Sequence, residues 1–318
     1  MPSQRIPMHR RRGLSCSWSR TQRFQRVKLF VLGSTGFIGK RFVRMFSGVY
    51  EIVTELDGGD STFVDLTRYD TTLEFLDAHR PLAILNLAGK SYHTAGNDAD
   101  IYESNVLVEL NLHEALDHLK LDSKIVSASS SAVYRSSTDP VDERSPCLPA
   151  NTYARAKYVQ ERVGLSYHPR QHVVIARLFN VIGPHQSKDF FLPAVIERLM
   201  KFRSGEAKEV QLKTLNAVRD FTFIDDACGA LRALVDGGAS GEIYNVCSGR
   251  GVSIHEVIEE LKDILSIPTV PLVARDEFVK EGINYQSGSN RKMREIGWSP
   301  SFDIRKSLET ILGEEYGI

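Results

Sequence analysis

Short apolar runs alternate with longer stretches of helical periodicity through most of the chain. Leu29–Leu32 is the first run, short and continuous enough for a buried parallel strand. Phe37, Ile38, Phe42, Val43 and Phe46 then recur at helical spacing. "EIVTEL" (51–56) and "RPLAILNLAGK" (80–90) read as the next two strands. Over 101–119, Val106, Leu110, His113 and Leu116 lie near one helical stripe, with His113 expected on the helix surface. "KIVSASSSAVY" (124–134) is a strand, and "NTYARAK" (151–157) opens a helix over 153–167. A further buried strand follows in "HVVIARLFNVIGPHQ" (172–186). "GEIYNVCSGRGVSIHEVIEEL" (241–261) gives a strand, a loop and a helix begun by a capping box, Ser253 with Glu256. "IGWSPSFDIRKSLETIL" (296–312) closes with a turn, where Trp298 is a packing residue, and an amphipathic helix. Alternation of this kind predicts an α/β fold built on a doubly wound parallel sheet.

Composition narrows the setting. The chain has 318 residues, 42% hydrophobic and 25% charged, the balance of an ordinary soluble protein. No run approaches the roughly 18 apolar residues that span a bilayer, so no membrane partner is expected. Cys16, Cys147, Cys228 and Cys247 stand far apart without a CxxC pair. That argues against a metal site or a disulfide framework and fits a reduced, cytoplasmic setting. Residues 1–26 hold seven Arg and no acid; without them 33 basic residues face 40 acidic ones, a net of −7. The body thus gives no support for nucleic-acid binding. For residues 1–26 three readings stand: a disordered tail, a presequence, or a start assigned too early, with the fold beginning at Val27. Each makes the segment dispensable to the fold.

Chemistry enters at the turn after the first strand. Gly33, Gly36 and Gly39 lie between a buried strand and a helix, where glycine permits a tight bend and lets backbone approach a pyrophosphate. Asp57, at the end of the second strand, can accept hydrogen bonds from ribose hydroxyls. No Arg or Lys follows it in "DGGDST", so NAD(H) is favoured and NADP(H) stays possible. Ala88 and Gly89 leave room for a cofactor at the end of the third strand. On a helix, Tyr153 and Lys157 share one face, and hydroxyls crowd the end of the 124–134 strand.

A glycine phosphate turn, a serine-tipped strand and a helical YxxxK, in that order, resemble the extended short-chain dehydrogenases/reductases, the NAD-dependent epimerase/dehydratase family. The resemblance covers nearly everything from Val27 onward and implies a Rossmann-type sheet. It implies Ser130 as the hydroxyl that holds the substrate oxygen, Tyr153 as the proton donor, and Lys157 as the group that favours phenolate and grips the nicotinamide ribose. Position 135 is Arg where the family usually has Gly. The cofactor set implied is Gly33, Gly36, Phe37, Ile38, Gly39, Asp57, Asp65, Leu66, Leu87, Ala88, Gly89, Asn105, Tyr153, Lys157 and Leu178, with Asp65 and Leu66 where adenine would lie.

"RLFNVIGPHQ" and "AVRDFTFIDDA" are similar to segments of nucleotide-sugar enzymes. They imply Asn180 at the substrate and Arg219 at the diphosphate, against the alternative of an ion pair with Asp220 or Asp225; the resemblance adds Ser131, next to the catalytic hydroxyl, and Gln186 to the substrate set. The later motifs look most like GDP-4-keto-6-deoxymannose reductases. Ser131 and Ala132 stand where a dehydratase places acidic groups, which disfavours dehydration. A 4-epimerase, using the same triad, and a non-catalytic NAD-binding regulator remain as alternatives. The domains expected are 27–180 for the cofactor, with a returning segment near 212–245, and 181–318 mainly for a smaller, mixed α/β substrate domain. Helices 101–119 and 153–167 occupy the positions that pair in homodimers of similar enzymes, through a four-helix interface.

Overall fold

The computed structural model describes residues 26–57, 63–90, 97–274 and 284–318. The basic segment up to residue 25, and residues 58–62 of the "DGGDST" turn, lie outside the described residues. Six parallel strands form the main sheet: β1 (Lys28–Leu32), β2 (Glu51–Thr54), β3 (Ala83–Asn86), β4 (Lys124–Ser130), β5 (His172–Leu178) and β9 (Glu242–Val246), in the order β2-β1-β3-β4-β5-β9. Side chains alternate across each strand. Leu29, Val31, Leu85, Val126 and Val174 therefore enter one core, while Phe30, Leu32, Ile84 and Ile125 enter another. Helices α1 (Phe37–Phe46) and α7 (Ile224–Gly237) cover the first face, and α2 (Tyr69–His79) and α4 (Val108–Leu119) the second. This is the doubly wound Rossmann-type arrangement, with apolar strands because both faces are buried. Beyond the edge strand β2, the Val64 amide donates to the Glu55 carbonyl at 2.9 Å.

The order reverses at β1, whose neighbours β2 and β3 lie on opposite sides. Open α/β sheets bind ligands at the carboxyl ends of strands flanking such a point. Helix α5 (Thr152–Ser166) packs on β4 and α4, and β9 returns to the sheet beside β5. Elsewhere β6 (Asn180–Ile182), β8 (Val218–Phe223) and β10 (Gly251–Ser253) form a mixed sheet in the order β10-β8-β6. A parallel pair joins β7 (Val210–Leu212) to β11 (Leu272–Ala274). Helices α6 (Phe191–Arg203), α8 (Ile254–Ile264), α9 (Arg291–Glu295) and α10 (Ile304–Tyr316) complete the C-terminal half.

Three local expectations change. The predicted helix over 101–119 starts earlier, as α3 (Asp98–Tyr102), and passes through a π-helical turn, Glu103–Leu107, before α4. His113 is not on the surface: it has no exposed area, because α4 packs against both α2 and α5 and polar partners reach the imidazole there. Half of the capping box forms, with the Glu256 amide donating to Ser253 Oγ at 3.1 Å, while the Glu256 carboxylate takes Arg250 instead. Trp298 packs in the core and donates from Nε1 to the Asp226 carbonyl at 3.2 Å.

Candidate active site

The glycine turn is shaped by close approach. Gly33 has φ +72°, and a Cβ there would come within 2.7 Å of the Leu87 backbone. At Gly39 a Cβ would meet the Gly33 carbonyl at 2.1 Å, so the helix seats directly on the turn. Gly36 caps α1 without a side-chain hydrogen bond and no acid stands in its first turn, which leaves the helix N-terminus after β1 suited to an anion. Phe37 and Ile38, in its first turn, are half-buried.

A carboxylate does reach this turn, from a residue the sequence reading passed over. Glu55 is 2% exposed, and its Oε1 accepts from the Ser34 amide at 2.9 Å and the Ser34 hydroxyl at 3.0 Å. Its Oε2 has no donor among the described residues. Asp57 instead turns back on its own strand, accepting from the Thr54 amide and hydroxyl at 2.6 and 2.9 Å. Asp65 is engaged in a local turn with Thr67, and Leu66 is a core residue. The signal for Glu55 was its place just after β2; its contact with Ser34 is tertiary and leaves no trace in local pattern.

Beside the turn, the ends of β3, β4 and α5 bring the other candidates together. Ser130 ends β4, and its Oγ accepts from the Ala132 amide at 3.2 Å. Asn151 caps α5 by accepting from the Ala154 amide at 2.9 Å, which places Tyr153 in the first turn and Lys157 one turn on. The Lys157 ammonium donates to the Ala128 carbonyl at 2.9 Å and to Gln160 Oε1 at 3.0 Å. A Cβ on Gly89 would lie 3.3 Å from Lys157 Nζ and 2.2 Å from Asn105 Oδ1. Asn105 is fully buried in the π-helical turn, a distortion frequent at functional sites, and its Oδ1 too has no donor among the described residues. Ala88 just after β3 and Leu178 at the end of β5 are half-buried.

Burial pushes the Lys157 ammonium down to about 8, with Glu109 and Glu161 pulling the other way. For Tyr153, burial raises the phenol above its ordinary value and the Ser130 hydroxyl pulls it back. The expected lowering by Lys157 is thus not supplied by the polypeptide alone, because both hydrogen bonds found for the ammonium go to Ala128 and Gln160. Tyr153 is held as a neutral phenol, the form from which a proton donor starts. Two buried acceptors, Glu55 Oε2 and Asn105 Oδ1, without donors among the described residues suit a dinucleotide with ribose hydroxyls.

The substrate candidates come from the end of β4, from the smaller sheet and from the loop after β6. Asn180 donates to the Asp220 carbonyl at 3.1 Å, and Gln186 folds back to donate to the Val181 carbonyl at 2.8 Å. Ser131 is buried and donates to Gln286 Oε1 at 3.1 Å, while Gln286 Nε2 donates to the Ser131 carbonyl at 2.7 Å. Arg219 donates to the carbonyls of Val218 and Asn284 at 2.9 and 3.1 Å, and burial lowers its pKa. Asp225 pairs with Arg41 at 2.5 Å, and Asp220 accepts from Ser248 and the amides of Gly249 and Gly288.

A parallel sheet with a glycine turn at its reversal point and a Ser–Tyr–Lys set beside it defines a pyridine-nucleotide oxidoreductase of the extended short-chain type. The chain belongs to the NAD dependent epimerase/dehydratase family, whose model matches residues 29–247. It is similar to the GDP-6-deoxy-D-mannose reductase of Pseudomonas aeruginosa, with 28% identity over 303 residues, 90% of this chain and 96% of that protein. The GDP-6-deoxy-D-talose 4-dehydrogenase of Aggregatibacter actinomycetemcomitans is 26% identical over 241 residues, 75% of this chain and 80% of that one. Among solved structures, RMD from Pseudomonas aeruginosa complexed with NADPH superposes with a TM-score of 0.81 at 28% identity, covering 91% of this chain and 98% of that one. A UDP-glucose 4-epimerase from Thermotoga maritima shares the fold, with a TM-score of 0.78 at 21% identity, over 90% of this chain and 97% of that one.

Proposed function

We propose that the protein reduces the 4-keto group of a nucleotide-diphosphate 4-keto-6-deoxysugar, GDP-linked by preference, giving GDP-rhamnose or a stereoisomer. The observation that carries this reading is Ser130, Tyr153 and Lys157 at one strand edge beside the glycine turn, in a chain whose GDP-sugar relatives it matches over most of its length. When bound, NAD(P)H supplies the hydride. The glycine-turn amides and the α1 terminus hold its pyrophosphate, Glu55 its adenosine ribose, and Lys157 its nicotinamide ribose. Ser130 holds the substrate carbonyl oxygen, and Tyr153 gives that oxygen its proton. Asn180, Ser131 and Gln186 line the sugar side, and Arg219 meets the diphosphate with a planar fork of donors.

The Glu55 carboxylate at the ribose position favours NADH over NADPH, since a 2′-phosphate would meet a like charge. Glu55→Gln keeps an acceptor for Ser34 and removes that charge, so it should narrow the NADH preference by about tenfold, roughly 1.4 kcal/mol. The working form is a homodimer in the cytoplasm, consistent with free thiols at Cys147, Cys228 and Cys247. The direct test incubates the protein with NADH or NADPH and a panel of GDP-, UDP- and dTDP-linked 4-keto-6-deoxysugars, following absorbance loss and product stereochemistry. Cofactor binding without turnover of any panel member would sink the reading.

A further inference from the structure

A chain of buried polar groups leads from Lys157 into the space between α4 and α5. Gln160 Oε1 accepts from Lys157 at 3.0 Å, and Gln160 Nε2 donates to Glu109 Oε2 at 3.1 Å. An ammonium only donates and a carboxylate only accepts, so the amide cannot be reversed. Glu109 also accepts from Asn86 Nδ2 and from the Ser127 hydroxyl, both at 2.7 Å, and His113 Nε2 lies 3.1 Å from its Oε1. The other imidazole nitrogen, Nδ1, is 2.5 Å from Gln171 Oε1. That amide is fixed as well, because its Nε2 donates to the His113 carbonyl at 2.9 Å and to Asp117 at 2.7 Å. Both ring nitrogens therefore face acceptors, and against its burial the hydrogen bonds from His113, Ser127 and Gln160 hold the Glu109 carboxyl below the usual carboxylate range. The result is a histidine–carboxylate pair with neither side chain exposed.

Apolar side chains would fill this space at lower cost, since a buried ion pair rarely stabilises more than its apolar replacement. The chain makes explicit room for it: a Cβ on Gly164 would come within 2.8 Å of Glu109 Oε1. The pair's connection to Lys157 supplies a reason. We propose that Glu109 is a positioning residue for Lys157, acting through Gln160, and that His113 sets the strength of its charge. The inference rests on the catalytic reading of Lys157.

The groups that face the ammonium are few. Ala128 of β4 offers a carbonyl, Gln160 and Glu161 come from α5, Glu109 from α4, and the Gly89 backbone passes beside Nζ. Glu161 is already held by Arg177 at 2.7 Å, so Glu109 is the carboxylate whose effect its own partner can tune. Around His113 stand Glu109, Gln171 with Asp117 behind it, and the stacked Tyr167 ring at 4.5 Å. Removing the charge of Glu109 should let Lys157 lose its proton at lower pH. Removing the His113 ring takes a partner away from Glu109, leaves its charge less compensated, and should do the reverse.

Opposite signs are what a merely structural role would not give. NADH affinity is measured by fluorescence across about pH 6 to pH 10, alongside the pH profile of turnover. In the wild type, affinity should fall as Lys157 deprotonates near 8. Glu109→Gln should move that fall about one pH unit lower, and His113→Gln should move it higher. Gln160→Leu should follow Glu109→Gln in direction, and with His113→Gln it carries the test if Glu109→Gln fails to fold. Lys157→Met is the reference. If it has lost NADH affinity and turnover while the other variants leave the midpoint unmoved, or shift it all one way, the positioning role is overturned. If Lys157→Met binds and turns over normally, the catalytic reading falls and takes this inference with it.

Discussion

Tyr153→Phe removes one oxygen and leaves the ring's packing almost intact, so the fold should tolerate it. Turnover should drop by roughly two to four orders of magnitude, the usual worth of positioned acid catalysis, while NADH binding survives. Near-normal turnover by a well-folded variant would reduce Tyr153 to a packing residue. Lys157 makes the complementary case, because its function works against stability. Burial lowers it from an ordinary 10.5 to about 8, so below about pH 8 the folded state carries an ammonium it would shed more readily than the unfolded chain. That difference corresponds to about 3 kcal/mol of destabilisation at neutral pH. Lys157→Met should therefore be at least as stable as the wild type at neutral pH. Its relative gain should shrink as pH rises from about 8 to about 10.5, where the unfolded lysine also loses its proton. Urea denaturation at several pH values reads both the size and the sign.

Helix α5 carries both residues, and a buried cross-link holds it against the sheet. Arg177 of β5 reaches Glu161 through Nε at 2.8 Å and Nη2 at 2.7 Å, and donates to the Tyr134 hydroxyl at 2.9 Å. Glu161 also accepts from Ser129 at 2.5 Å, so β4, β5 and α5 share one polar knot. Arg177→Met would strand a carboxylate that is 0% exposed, at a cost of about 3 to 5 kcal/mol. Adding Glu161→Leu should recover much of that loss; a double variant no better than the single would show that packing, not charge, holds the knot. This knot explains which elements the sequence made legible. The strands and α1 could be read because apolar runs and helical spacing are local, and so could YxxxK. The π-helical turn at Glu103–Leu107, the burial of His113 and the approach of Glu55 to Ser34 could not. Each is decided by what packs against it, and a single stripe of periodicity records only one face of α4.

At the scale of the whole molecule, the alternation of strand and helix was enough to anticipate a doubly wound sheet, whereas the surface says what the chain alone cannot bury. Tyr102, Leu107 and Leu110 on α3–α4 and Val159 on α5 remain 36% to 38% exposed, although both helices bury their other faces thoroughly. Single exposed apolar residues are ordinary, but several on two adjacent helices mark a surface suited to association. A two-fold contact would set the same pair of helices from each copy together, since a symmetric interface must be self-complementary. Leu110→Glu places a charge in that contact from each copy and leaves the buried Leu112 and Leu116 untouched. Sedimentation at micromolar concentration should give a dimer for the wild type and a monomer for the variant, with little change in Tm if the fold does not depend on pairing. A wild-type monomer at that concentration would remove the four-helix interface. A Leu110→Glu protein that still dimerises would move the contact to another face.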